Sequence, residues 1–305
     1  MVLGMRKSPS ASAKLVGFTI TVAAVFAASF GLARAVAPDG LSGRSTGGHS
    51  MGAGEEMGES HGGDGGASGG GHGRTEAAAT PAAAPGLAVA VAGYRLVADA
   101  TELASGPATP FRFRIDGPDG QPQQRYEQLH ERELHLIVVR RDLSGFQHVH
   151  PTRGADGTWS ITLDLREGGT WRAFADFAPS GGPAQLTLGV DLQVAGAFVP
   201  GRTPTAASPA DPSLTAAFDR RGDDIDITVR RDGAPLEPEP YLGARGHLVA
   251  LRAGDLAYLH VHPREGGSPA VRFTAELATA GTYALFFDYQ VAGTVRTAAT
   301  TMEVR

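Results

Sequence analysis

Two stretches, ELHLIVVRRDLSGFQHVHP at residues 133–151 and RGHLVALRAGDLAYLHVHP at residues 245–263, align without a gap at an offset of 112 residues. His135 falls on His247, His148 on His260, His150 on His262 and Pro151 on Pro263. Further along, GTWRAFADF aligns with GTYALFFDY, so Trp171, Phe174 and Asp176 fall on Tyr283, Phe286 and Asp288. The turns DGQP, from Asp119, and DGAP, from Asp232, stand within one residue of the same register. Self-similarity at a fixed period marks a duplicated structural unit, here of about 100 residues.

Within the first unit, short runs of alternating apolar and polar residues are punctuated by Gly, Pro and Asp: LAVAVAGYRLVA, FRFRID, ELHLIVVR, FQHVH, TWSITLDL, TWRAFADF and LTLGVDLQV. The second unit repeats the series from LTAAFD to VRTAATTMEV. Period-two runs without a helical period predict an all-β chain with two tandem immunoglobulin-like antiparallel β-sandwich domains, at residues 87–199 and 213–305. The segment 200–212 links them. Trp159, Trp171, Phe177, Tyr283 and Phe287 are expected in the cores. The pairs Arg140-Arg141, Arg220-Arg221 and Arg230-Arg231 end strands or begin turns and are expected to be solvated.

The histidine spacing carries the chemistry. Side chains alternate along a strand, so His148 and His150 share a face, as do His260 and His262. A hairpin closed by residues 142–145 would set Val139 opposite His148 and Ile137 opposite His150, leaving His135 on the same face and diagonal to His150. Diagonal neighbours stand about 7 to 8 Å apart at the backbone, within reach of a common ion. The second unit gives the same expectation for His247, His260 and His262. Three converging imidazoles suit copper or zinc and leave a fourth position, for which Asp176 and Asp288 are candidates, either as ligands or as partners that orient a ligand histidine. The bland alternative is that the duplicated histidines brace loops. Cysteine is absent, so disulfides, zinc knuckles and a blue-copper thiolate are excluded.

Upstream lies a run without charge, LVGFTITVAAVFAASFGLA at residues 15–33, preceded by Arg6, Lys7 and Lys14. It predicts a signal peptide or retained membrane anchor within residues 1–40, placing the rest at the cell membrane on the extracytoplasmic side, or secreted. Residues 41–86, rich in Gly, Ala, Ser and Pro, read as a disordered tether. The tether carries His49, Met51, Met57, His61 and His72, soft or borderline ligands suited to capturing copper. Past residue 40 the chain holds 23 Arg plus Lys against 31 Asp plus Glu, a balance of −8 that does not recruit nucleic acid.

The stretch YLGARGHLVALRAGDLAYLHVHP at residues 241–263 resembles a signature of uncharacterised secreted or membrane-anchored two-repeat proteins of high-GC bacteria, and HLIVVRRDLSGFQHVHP is similar to its companion signature. The resemblance implies a heavy-metal-binding role. The expected function is therefore extracytoplasmic metal binding, copper before zinc, that sequesters the ion or hands it to a protein partner, without catalysis. Two other classes compete: a metal-dependent oxidase or hydrolase at an open three-histidine site, with Asp176, Asp288 or Glu131 as base, and an immunoglobulin-like interaction module without metal.

Overall fold

The computed structural model describes residues 84–201, 211–264, 269–277 and 279–305, with the side chains of His260 and His262 excepted. The leader, the tether with His49, Met51, Met57, His61 and His72, and most of the inter-repeat link lie outside the described residues. Among the described residues, no helix is long and apolar enough to cross a membrane. Both repeats lie within one compact unit, Thr75–Arg305.

The described region is all-β. The first half comprises β1 (Ala90–Val91), β2 (Tyr94–Ala98), β3 (Glu102–Leu103), β4 (Gly106–Asp116), β5 (Tyr126–Glu127), β6 (Leu134–Arg140), β7 (Gln147–Val149), β8 (Thr152–Arg153), β9 (Trp159–Leu165), β10 (Gly169–Pro179) and β11 (Leu186–Val194). They form two sheets, ordered β1-β2-β4-β9-β8 and β3-β11-β10-β6-β7, with β5 beside β10. All pairings are antiparallel except β3 with β11. The run LAVAVAGYRLVA, expected as one strand, is a hairpin instead. Ala92 and Gly93 take φ of 52° and 84°, the left-handed pair that a tight hairpin turn demands, and Val91 pairs with Tyr94.

The second half comprises β12 (Leu214–Arg221), β13 (Asp224–Arg231), β14 (Ala234–Leu236), β15 (His247–Arg252), β16 (Tyr258–Pro263), β17 (Val271–Thr274), β18 (Gly281–Val291) and β19 (Thr294–Val304). Here the order β12-β13-β17-β16-β15-β18-β19 is continuous, because β16 pairs with β15 along one stretch and with β17 near its end. In the first half the same path is cut at Pro151: β7 pairs with β6, and β8 pairs with β9.

Each half has its own core, which contains all five of the expected aromatics. A third apolar cluster joins the halves: Ile137, Val139, Leu143 and Phe174 of the first pack with Val249, Leu251, Leu256, Tyr258, Ala284 and Phe286 of the second. Strand β6 shows why. Leu134, Leu136 and Val138 enter the first core, whereas Ile137 and Val139 enter the seam, so all seven residues of β6 are buried. The unbroken run LHLIVV encodes a strand covered on both faces, and β15 and β18 repeat the division.

Arg140 departs from expectation. Its side chain is fully buried rather than solvated, paired with Asp142 at 2.7 Å and Glu167 at 2.9 Å, and it donates to the Val199 carbonyl at 2.7 Å. A buried guanidinium is tolerable only with its charge matched and its donors filled. Asp142 is correspondingly tied: it also accepts from the Ser144 amide and hydroxyl and from the Gly201 amide. Burial would raise its carboxyl, but Arg140 and these donors outweigh that and hold it well below the usual carboxylate range.

Candidate metal centre

The hairpin register differs from expectation by two residues. His148 pairs with Ile137, not Val139, and Leu136 with Val149, next to His135 and His150. The loop tightens early: the Arg140 amide donates to the Ser144 carbonyl at 3.0 Å, and Leu143 and Gly145 adopt φ of 68° and 66°. A shift of two leaves side-chain parity unchanged, so the three histidines keep one face. The second half repeats this register at the backbone, with Val249 opposite His260. The side chains of His260 and His262 lie outside the described residues.

That face is the seam. His135 Nδ1 stands 3.0 Å from His148 Nε2 and 3.1 Å from His150 Nε2. Ligand nitrogens of the three residues all lie within 4.8 Å of one another, and the group could hold a metal ion. Three nitrogens bound tetrahedrally to one ion at 2.0 to 2.1 Å stand about 3.3 Å apart, close to this spacing.

Hydrogen bonds on the outer nitrogens fix what the inner ones offer. His135 Nε2 lies 2.8 Å from the Leu129 carbonyl, which can only accept, so Nε2 carries hydrogen and donates. His148 Nδ1 lies 2.7 Å from Asp288 Oδ2 and donates to it. Burial, then the neighbouring His148, pushes His135 down to about 4; burial, His148 and His135 push His150 to about 3. Near neutrality His135 Nδ1 is therefore a bare lone pair faced by two nitrogens. One hydrogen can fill only one of those two contacts, whereas a single cation fills all three positions.

Asp176 lies directly opposite His135 across β10 and β6, and Asp288 opposite His247 across β18 and β15. Both carboxylates are buried on the histidine face. Neither is in the ligand group: Asp288 Oδ2 accepts from His148 Nδ1 at 2.7 Å, and Asp176 accepts from Gln185 at 2.8 Å, Thr187 at 3.2 Å and the Tyr258 hydroxyl at 3.2 Å. Burial and the Asp176 charge raise Tyr258 well above the usual tyrosine range. His247 repeats the anchoring of His135, donating from Nε2 to the Tyr241 carbonyl at 2.9 Å, and burial pushes it to about 4 despite that bond.

One neighbour escaped the sequence reading. The ring of His130 lies 5.0 Å from that of His247 and 6.0 Å from that of His135. It lines, with His135, His148, His247, Asp176 and Tyr258, a cavity of about 20 Å³ between the halves. The alignment alone could not find it, because Leu242 stands at the equivalent position of the second unit; both residues take a left-handed φ near 50°. Glu131 is exposed and stands beside Gly243.

A family model described as Domain of unknown function (DUF8832) matches residues 89–195 and 215–305, one segment in each half. No curated protein matches the chain. Similar solved structures include FdeC, an adhesin of Escherichia coli, at 14% identity over 70% of this chain and 64% of that one, with a TM-score of 0.24. Invasin, a bacterial integrin-binding protein, follows at 11% identity over 72% and 41%, with a TM-score of 0.21. The chain spans under two thirds of either, and likenesses at these scores carry no argument about it.

Proposed function

The chain belongs to the DUF8832 family, and we propose from its own residues that it is an extracytoplasmic metal-binding protein that sequesters an ion or hands it on, copper before zinc. We read each half as a sandwich of immunoglobulin type whose seam-facing hairpin presents histidines to the ion. One observation carries the reading: His135 Nδ1, His148 Nε2 and His150 Nε2 converge while hydrogen bonds hold the outer nitrogens of His135 and His148. Sequence equivalence extends it to a second trio of His247, His260 and His262, with His247 anchored as His135 is.

Copper is favoured over zinc by the His and Met residues of the tether, which suit copper chemistry. The leader supports export. Titrating the metal-free chain with copper(I), and separately with zinc(II), tests the reading. A tight complex and a raised melting temperature are expected, since an ion at 100 times its Kd stabilises by about 2.7 kcal/mol. Neither complex nor shift with either ion would refute it.

A further inference from the structure

The seam supports a further inference that rests on the metal reading above. Asp288 belongs to the second half, yet its Oδ2 accepts from His148 of the first, and both side chains are almost fully buried. Its other oxygen, Oδ1, accepts from the Thr297 hydroxyl at 2.6 Å, across the β18–β19 pairing of the same two residues. One carboxylate is thus anchored in its own sheet and reaches into the opposite half. The relation is reciprocal in kind, because Asp176 of the first half accepts from Tyr258 of the second, and Tyr258 is the sequence equivalent of Phe146, two residues before His148. Both aspartates are engaged by the hairpin strand of the other repeat.

A carboxylate that takes the hydrogen of one imidazole nitrogen selects the tautomer, fixes the ring plane and leaves the far nitrogen bare and more basic toward an ion. We propose that Asp288 is a positioning residue for the His135, His148 and His150 centre, so that the ion is bound fully only when the two halves are docked. Ion binding and docking then stabilise one another by the same factor, as linkage requires. A metal centre that spans the repeats makes the pair, and not either repeat alone, the functional unit.

The test uses the full chain with Asp288→Asn and Thr297→Val. Copper(I) and zinc(II) affinities are measured by competition with a chromophoric chelator, and the His148 tautomer is read from imidazole nitrogen resonances of the metal-free protein. Asp288→Asn is expected to bind 10- to 100-fold more weakly and to lose the single Nδ1–H form of His148, with circular dichroism unchanged. Thr297→Val is expected to fall between it and the wild type, and it decides the matter if Asp288→Asn does not fold. Ion uptake by the wild type that persists within twofold in the variants, or an unaltered tautomer, overturns the positioning role alone. No uptake of either ion by the wild-type chain removes the metal reading, and this inference with it.

Discussion

The ring of Phe146 in the first half lies flat on that of Phe286 in the second, centroids 4.0 Å apart and planes 3° from parallel. Phe286 is buried and Phe146 partly so, and both belong to the apolar cluster between the repeats rather than to either core. Phe286→Ala should destabilise the chain by about 3 to 5 kcal/mol. The loss should fall on docking as well as on the second half, so urea unfolding, expected to be one transition in the wild type, should separate into two. A single transition with an unchanged midpoint would contradict the seam as a source of stability.

Removing a ligand histidine should cost more of the stability measured with metal than of that measured without it. In the metal-free chain, His135→Gln relieves the crowding of three nitrogens but gives up the bond to the Leu129 carbonyl, and should cost no more than about 1 to 3 kcal/mol. With saturating copper(I), the rise in melting temperature expected of the wild type should be largely abolished. Calorimetry of both forms under both conditions checks this. A variant that keeps the metal-induced rise would exclude His135 as a ligand.

Asp142 gives a pH dependence of definite sign. Its carboxyl is held below the ordinary value of about 4 in the folded chain, so the unfolded chain binds the proton more readily. The stability it contributes is complete above pH 4 and is lost as pH falls through the folded value. Asp142→Asn leaves Arg140 buried with Glu167 as its remaining carboxylate and should cost about 3 kcal/mol at pH 7. Stability of that variant should fall less steeply below pH 4, and equal acid slopes would count against the assignment.

Gly86 occupies a position that tolerates no side chain. Its φ is 76°, and an added Cβ would stand 2.6 Å from the Phe174 ring and 2.9 Å from Tyr258 Cβ. Its carbonyl accepts from the Arg172 guanidinium at 2.6 Å, and the preceding Pro85 carbonyl accepts from the Tyr258 amide at 3.0 Å. Gly86→Val should cost about 2 kcal/mol or more through strain and overpacking. Proteolysis near the start of the described chain should speed up in the variant, and an unchanged cleavage rate would argue against this wedge.

The duplication, most strands and the shared face of the three histidines were legible in the sequence, because each depends on offset or parity alone. The hairpin register was not, since it hangs on the conformation of Leu143 and Gly145 and on the tethering of Asp142 by Arg140, none of which a period-two pattern encodes. Parity survives a slip of two, so the trio held although the predicted partners of His148 and His150 did not. The burial of Arg140 was hidden because two of its partners, Glu167 and the Val199 carbonyl, lie far along the chain. The meeting of the two hairpin faces had one trace in the sequence, the unbroken apolar run after His135, which an alternating reading overlooks.

The bond from His148 to Asp288 has a consequence for how such a site can arise. A chain with one repeat could form it only by pairing with a second molecule, at whatever concentration the cell supplies. Joined in tandem, the two copies meet at an effective concentration of millimolar order for a short connection. Fusion thus removes the dilution penalty of a dimer, and it frees the two copies to diverge, as His130 and Leu242 have done.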